Sequence, residues 1–132
     1  MSVELGETQY GFQVYETEID DRGIDFIARY ETGPFIEVQV KSLRSLGYVF
    51  AQKEKFAPRE NLFMAVALFS EGTQPNLFLI PATAWLTPNE LLVSRDYEGK
   101  KSKPEWGINA SQRNMPILEQ YGFENVVSCL CS

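Results

Sequence analysis

The chain has 132 residues and contains no histidine. This absence excludes Ser-His-Asp and Cys-His nucleophile systems, and it excludes zinc sites that use imidazole ligands. Any chemistry that the chain performs must therefore use carboxylates, amides, lysines, tyrosines or a hard metal ion.

Cysteine is almost absent as well. The two cysteines, Cys129 and Cys131, lie near the end of the chain with one residue between them. A disulfide over so short a span would be strained. Since no further cysteine and no histidine is present, the pair also lacks the partners of a zinc site. We expect two free thiols in a reducing compartment.

Long apolar runs are missing. The longest extends from Leu62 to Phe69, whereas a transmembrane helix needs roughly 20 apolar residues. The first nine residues, MSVELGETQ, include acids and lack the apolar core of a signal peptide. These features predict a cytoplasmic protein that does not interact with membranes.

Positive charge is scarce. Lysine and arginine number 12 against 18 acidic residues, which gives a net charge of −6. This balance counts against a stand-alone nucleic-acid-binding protein, because such proteins are usually basic. However, seven of the 12 basic residues fall between Arg22 and Arg59. A local basic patch beside an acidic metal site is compatible with that distribution.

The length and the 44% of hydrophobic residues are those of one globular domain, residues 1–132. We expect an α/β (α+β) fold with a central mixed β-sheet flanked by helices. Hydrophobic alternation and turn residues predict strands at 14–19, 24–30, 35–41, 48–51, 62–69 and 77–80, the last two paired with each other. Helices are expected from Thr87 and over 115–121, with a weaker one within 2–13.

The most informative segment runs from Gly23 to Lys41. Its two strands, 24–30 and 35–41, are joined by Glu31-Thr32-Gly33-Pro34, which predicts a β-hairpin. Since side chains alternate along a strand, Glu37, Gln39 and Lys41 share one face of the second strand. The hairpin brings Asp25, near the start of the first strand, toward the end that carries Gln39 and Lys41.

A carboxylate, an amide oxygen and a lysine at one point favour a metal-dependent phosphodiesterase. Oxygen ligands suit Mg²⁺ or Mn²⁺. Such an ion polarises a phosphate oxygen and lowers the pKa of a bound water. The lysine would orient that water or neutralise charge that develops on the phosphate. A strand with one polar, solvent-facing side is the alternative explanation of the same pattern.

The segment GIDFIA…EVQVKS resembles the active-site core of the PD-(D/E)XK nuclease superfamily, and most of all its uncharacterised prokaryotic families. The resemblance is good over about residues 20–45. It implies a restriction-endonuclease-like core, dependence on Mg²⁺ and a DNA substrate. Asp25 and Gln39 would be metal ligands, Lys41 the catalytic lysine and Glu37 an auxiliary ligand. Members often supply a further glutamate from an N-terminal helix, and Glu7 is the candidate here.

Two departures from the family pattern support a second hypothesis. Gln39 stands where the family usually has an acid, and the segment before the motif is short. A nuclease fold without catalysis, acting in protein or nucleic-acid interaction and forming a homodimer, is therefore the alternative function. A third hypothesis is a small α+β domain that binds a metabolite in a deep apolar pocket.

Overall fold

A computed structural model describes residues 2–7, 12–17, 26–30, 35–69, 72 and 74–130. The described part has an α+β fold. Its strands are β1 (Ser2–Glu7), β2 (Phe12–Thr17), β3 (Phe26–Tyr30), β4 (Phe35–Leu43), β5 (Gly47–Gln52), β6 (Leu62–Leu68), β7 (Asn76–Pro81), β8 (Leu92–Arg95) and β9 (Glu105–Ala110). A 3₁₀ helix covers Ala82–Leu86, and two α-helices follow, α1 (Met115–Glu119) and α2 (Phe123–Leu130).

Within the described residues these strands form two sheets. The larger sheet has the order β1-β2-β3-β4-β6-β7, and the smaller one has the order β5-β9-β8. β4 and β6 run parallel, while the other neighbouring strands of the larger sheet are antiparallel. The central sheet is therefore mixed, as the sequence predicts. The predicted pairing of β6 with β7 is also confirmed.

The larger core lies between the two sheets. Alternate residues of β6, such as Met64 and Val66, are buried there against residues of the smaller sheet, such as Ile108. Trp85 of the 3₁₀ helix and Leu118 of α1 complete this layer. Trp85 Nε1 donates a hydrogen bond to the carbonyl oxygen of Gly107 over 2.9 Å, which ties the helix to β9.

The opposite face of the larger sheet is covered by α2. Ile36, Val38, Phe63 and Leu79 are buried on this face, with side chains of α2 packed against them. The helix has an apolar stripe because Phe123, Val126 and Val127 recur at helical spacing. Helices therefore lie on both sides of the sheet, as expected, but the second sheet that covers one side was not predicted.

Two local predictions are wrong. The segment 2–13 contains two paired strands, β1 and part of β2, in place of a helix. No helix starts at Thr87: Asn89 Oδ1 instead accepts hydrogen bonds from the backbone N–H groups of Leu91 and Leu92. This turn leads directly into β8. At the C-terminal end, the predicted helix over 115–121 is present as α1, and the helix α2 that follows it was not predicted.

Among the residues that the structure describes, none belongs to a helix with the length and apolarity needed to cross a bilayer.

Candidate functional site

The predicted polar row on β4 is present. Ile36 and Val38 are each 2% exposed, whereas the intervening Glu37, Gln39 and Lys41 are only half-buried. The parallel register pairs Gln39 with Met64 and Lys41 with Val66 on β6. Since Met64 and Val66 belong to the core between the two sheets, the polar row faces that side of the larger sheet.

The predicted hairpin is also present. β3 and β4 are antiparallel, with Phe26 opposite Val38 and Ile27 opposite Glu37. Asp25 itself lies outside the described residues. It is joined by one peptide bond to Phe26, and Val38, the partner of Phe26, directly precedes Gln39.

Glu37 is held by a partner of its own. Its carboxylate forms an ion pair with the guanidinium of Arg59, which also donates a hydrogen bond to it. The backbone N–H of Glu37 donates to the carbonyl oxygen of Asn61 over 2.7 Å. The row on β4 therefore has two parts: Glu37 belongs to an ion pair at one end, and Gln39 and Lys41 lie beyond it.

The backbone separates Glu7 from the other predicted residues. Along the sheet, Glu7 pairs with Gln13, Gln13 with Arg29, and Arg29 with Phe35. The Cα atom of Glu7 is thus about 14 Å from that of Phe35, three strand spacings away. Gln39 lies four residues further along β4, about another 13 Å. The structure brings Gln39 and Lys41 together but does not bring Glu7 to them.

Gln39 and Lys41 line an open groove with a volume of about 560 Å³. The opposite wall is β5, an edge strand of the smaller sheet. Consecutive residues of this strand contribute to the wall, and Lys55 follows at one end; the full lining among the described residues is Gln39, Lys41, Tyr48, Val49, Phe50, Ala51, Gln52 and Lys55. The groove is large enough for part of an extended ligand.

The amide oxygen of Gln39 has no hydrogen-bond partner in the part of the chain that the structure describes. Oε1 is buried, yet no described residue donates a hydrogen bond to it. A buried acceptor without a donor costs about 1–3 kcal/mol, so most such atoms in proteins are satisfied by a protein group, a water or an ion. The oxygen is of the type that a hard divalent cation takes as a ligand.

The described lining of the groove is cationic. It contains Lys41 and Lys55 and no carboxylate. Neither lysine forms an ion pair within the described part of the chain, although four other basic side chains do: Lys53 with Asp96, Arg59 with Glu37, Lys103 with Glu54 and Arg113 with Glu90. The described lining therefore carries positive charge that no described carboxylate neutralises, in a chain whose net charge is −6.

Tyr48 is fixed in the wall of the groove. Its hydroxyl donates a hydrogen bond of 2.5 Å to Oε2 of Glu105, a residue only 5% exposed. The ring crosses Gly107 so closely that a Cβ atom at this position would collide with it. Arg95 lies over the ring, 4.5 Å from its centroid. Burial is the larger cause and the hydrogen bond to Glu105 the second, and together they raise the pKa of Tyr48 well above its ordinary value.

A metal centre made of several anionic ligands is not found in the described residues. No three side chains of histidine, cysteine, aspartate or glutamate come together in that part of the chain. Within the described lining, the group that could serve as a metal ligand is the amide oxygen of Gln39, beside Lys41. A divalent ion held here would need the carboxylate of Asp25, which is outside the described residues.

Sequence analysis missed the β5 wall of the groove. The segment Tyr48 to Ala51 was predicted as a strand, but not as part of the site. The available signal was alternation: Tyr48 and Phe50 are aromatic residues two positions apart, and such a pair shares one face of a strand. Its position beside β4 depends on pairing with β9, more than 50 residues away.

The chain matches no known protein-family model, no curated protein and no solved structure.

Proposed function

We propose that the protein is a metal-dependent phosphodiesterase that acts on DNA, with Asp25, Gln39 and Lys41 as its central residues. The observation that carries this proposal is the buried Oε1 of Gln39 beside Lys41 in an open groove, neither of which has a partner among the described residues. The resemblance of GIDFIA…EVQVKS to PD-(D/E)XK nucleases supports the same function and suggests a restriction-endonuclease-like core.

The residues fit a divalent ion through their oxygen atoms. Gln39 Oε1, which accepts no hydrogen bond from a described residue, would offer one neutral ligand, and Asp25 would add the anionic one. Bound Mg²⁺ or Mn²⁺ would polarise the phosphate and activate a water. Glu37 contributes in a different way: its ion pair with Arg59 positions an adjacent segment, and release of that pair would supply a second carboxylate.

Lys41 has the role of an electrostatic stabiliser. Its side chain lies on the same face of β4 as Gln39, two residues away, and lines the same groove, and no described carboxylate forms an ion pair with it. A phosphate held near Gln39 would place the charge that develops in the transition state within its reach. Removal of one such donor typically lowers kcat about 10²- to 10³-fold.

The test is a cleavage assay on fluorescent single-stranded and duplex DNA with Mg²⁺, Mn²⁺ or EDTA. We expect cleavage with a divalent ion, its loss in Asp25→Asn, and a decrease of about 10²- to 10³-fold in Lys41→Met. Lys100→Met, at an exposed position in the loop between β8 and β9, is the matched control and should retain full activity. Circular dichroism would establish that each variant is folded.

Calorimetric titration of Mg²⁺ and Mn²⁺ separates this function from its alternative. Saturable binding that Asp25→Asn abolishes supports the metal site. The alternative is a nuclease-like module that binds a partner without catalysis, and two observations favour it: the described residues contain no cluster of three anionic ligands, and Glu37 is engaged by Arg59. If the parent protein shows neither ion binding nor cleavage, the result selects the alternative.

A further inference from the structure

The outer face of β5 carries two neighbouring aromatic rings at the groove. The rings of Tyr48 and Phe50 have centroids 6.1 Å apart and an angle of 24° between their planes. Phe50 is 45% exposed, while Val49 and Ala51 on the other face of the strand pack into the core. Both residues line the same groove as Gln39 and Lys41.

The two rings are not equally free to move. Tyr48 is held at its hydroxyl by Glu105, beneath its ring by Gly107 and above it by Arg95. Because Phe50 lies against this fixed ring, the orientation of its own ring is restricted, although the side chain remains exposed. A flat, preorganised and exposed aromatic surface suits the stacking of another flat ring, since little side-chain entropy is lost on binding.

Positive charge surrounds this aromatic pair. Lys41 and Lys55 line the groove without carboxylate partners in the described part of the chain, and the exposed Arg95 lies beside Tyr48. Glu105 contacts the pair through the Tyr48 hydroxyl, and this glutamate is buried. Aromatic stacking surfaces flanked by cations are typical of proteins that bind single-stranded nucleic acids.

From this arrangement we propose that the groove binds an unpaired nucleotide strand, with a base stacked on Phe50 and the backbone phosphates near Lys41 and Lys55. In a duplex the faces of the bases are covered by their neighbours, so only an unpaired base can offer its face to Phe50. This inference rests on the proposed function and narrows its substrate to single strands or to single-stranded segments of a duplex.

The test measures binding without catalysis. Fluorescence anisotropy in EDTA would compare a labelled oligodeoxyuridylate, an oligouridylate of equal length and a DNA duplex of equal length. We expect the single strands to bind more tightly than the duplex, and tighter binding of one of the two would identify the preferred sugar. Removal of one stacking partner costs roughly 1–3 kcal/mol per base, so Phe50→Leu should weaken binding about 5- to 150-fold.

Two controls make the result specific. Phe50→Tyr keeps an aromatic face of similar size and should bind within about twofold of the parent protein. Leu86→Ala removes another exposed apolar side chain, one on the 3₁₀ helix outside the groove lining, and should leave binding unchanged. Thermal unfolding of Phe50→Leu would show that weaker binding does not come from loss of the fold.

The outcomes distinguish this inference from the hydrolytic function. Equal or tighter binding of the duplex, no binding of any strand, or full binding by Phe50→Leu would overturn the stacking site while leaving metal-dependent cleavage open to its own assay. Single-strand binding that depends on Phe50, but without cleavage at any metal concentration, would overturn the hydrolysis and retain the binding site.

Discussion

The two faces of strand β4 differ in every property that matters for function. On one face, Ile36 and Val38 are each 2% exposed beneath α2. On the other, Gln39 and Lys41 open onto a groove between β4 and the edge strand β5. Because apolar and polar residues alternate in sequence, the same stretch of backbone carries a buried core on one face and a polar site on the other.

The comparison shows how a polar site is held rigidly. The buried face anchors the strand through apolar packing, and the parallel pairing with β6 fixes its register from Glu37 to Leu43. A shift of one residue would exchange the two faces, which would bury Lys41 and expose Ile36. The packing of Ile36 and Val38 therefore also determines where Gln39 and Lys41 point.

The largest effect is expected on the dry face. Ile36→Ala removes a buried side chain and leaves a cavity under α2, so it should lower the free energy of unfolding by about 2–5 kcal/mol. Val40→Ala is the matched control on the same face. Because Val40 is 40% exposed, this variant should lose much less free energy of unfolding. Urea unfolding measures both. Equal losses for the two variants would mean that α2 does not seal this face.

An intermediate effect is expected at the wall that faces the polar row. Tyr48→Phe deletes the hydrogen bond to the buried Glu105 and should cost roughly 1.5–3 kcal/mol near pH 7, as for hydrogen bonds to charged groups. The measurement is chemical unfolding at constant pH. A cost near zero would show that water replaces the tyrosine hydroxyl at Glu105.

The same variant also tests the pH dependence. The pKa of Tyr48 is raised in the folded protein, so above the ordinary tyrosine pKa of about 10 the unfolded chain loses a proton that the folded one keeps. The stabilisation is complete below that pH and decreases as the pH rises further. Between pH 9 and 11 the parent protein should lose more stability than Tyr48→Phe does.

The smallest effect on stability, with the opposite sign, is expected on the polar face. Gln39→Leu replaces a buried oxygen that has no described donor by an apolar group of similar size. We expect the free energy of unfolding to rise by about 1 kcal/mol, while metal binding and cleavage are lost. Thermal unfolding and the calorimetric titration measure the two effects. A destabilised variant would show that the Gln39 oxygen has a partner in the folded protein.

Local patterns were sufficient for the hairpin and for the polar row. The alternation of Ile36, Val38 and Val40 with Glu37, Gln39 and Lys41 predicts two faces wherever the strand is placed, since the side-chain period of two belongs to the backbone. The apolar run from Leu62 similarly predicts a strand buried on both faces, and β6 is packed on both sides.

Local patterns failed where burial outweighed them. Thr87, Pro88 and Glu90 have the spacing of a helix start, but the following Leu91 and Leu92 are fully buried in the core between the sheets. Strand β8 begins at Leu92 and pairs with β9. Leu91, just before it, accepts a hydrogen bond from the backbone N–H of Asn109, and Asn89 caps the turn. Capping contributes about 1 kcal/mol, whereas burial of two leucines contributes several.

The sequence by itself determined the order of polar and apolar side chains along β4, because alternation depends only on neighbouring residues. Only the tertiary structure decided that Gln39 and Lys41 face a groove, since the opposite wall is positioned by the pairing of β5 with β9 across more than 50 residues of chain. It also decided that Glu37 is engaged by Arg59 while Lys41 and Lys55 remain unpaired among the described residues. Charge partners depend on distances in the folded chain, which composition and spacing do not contain.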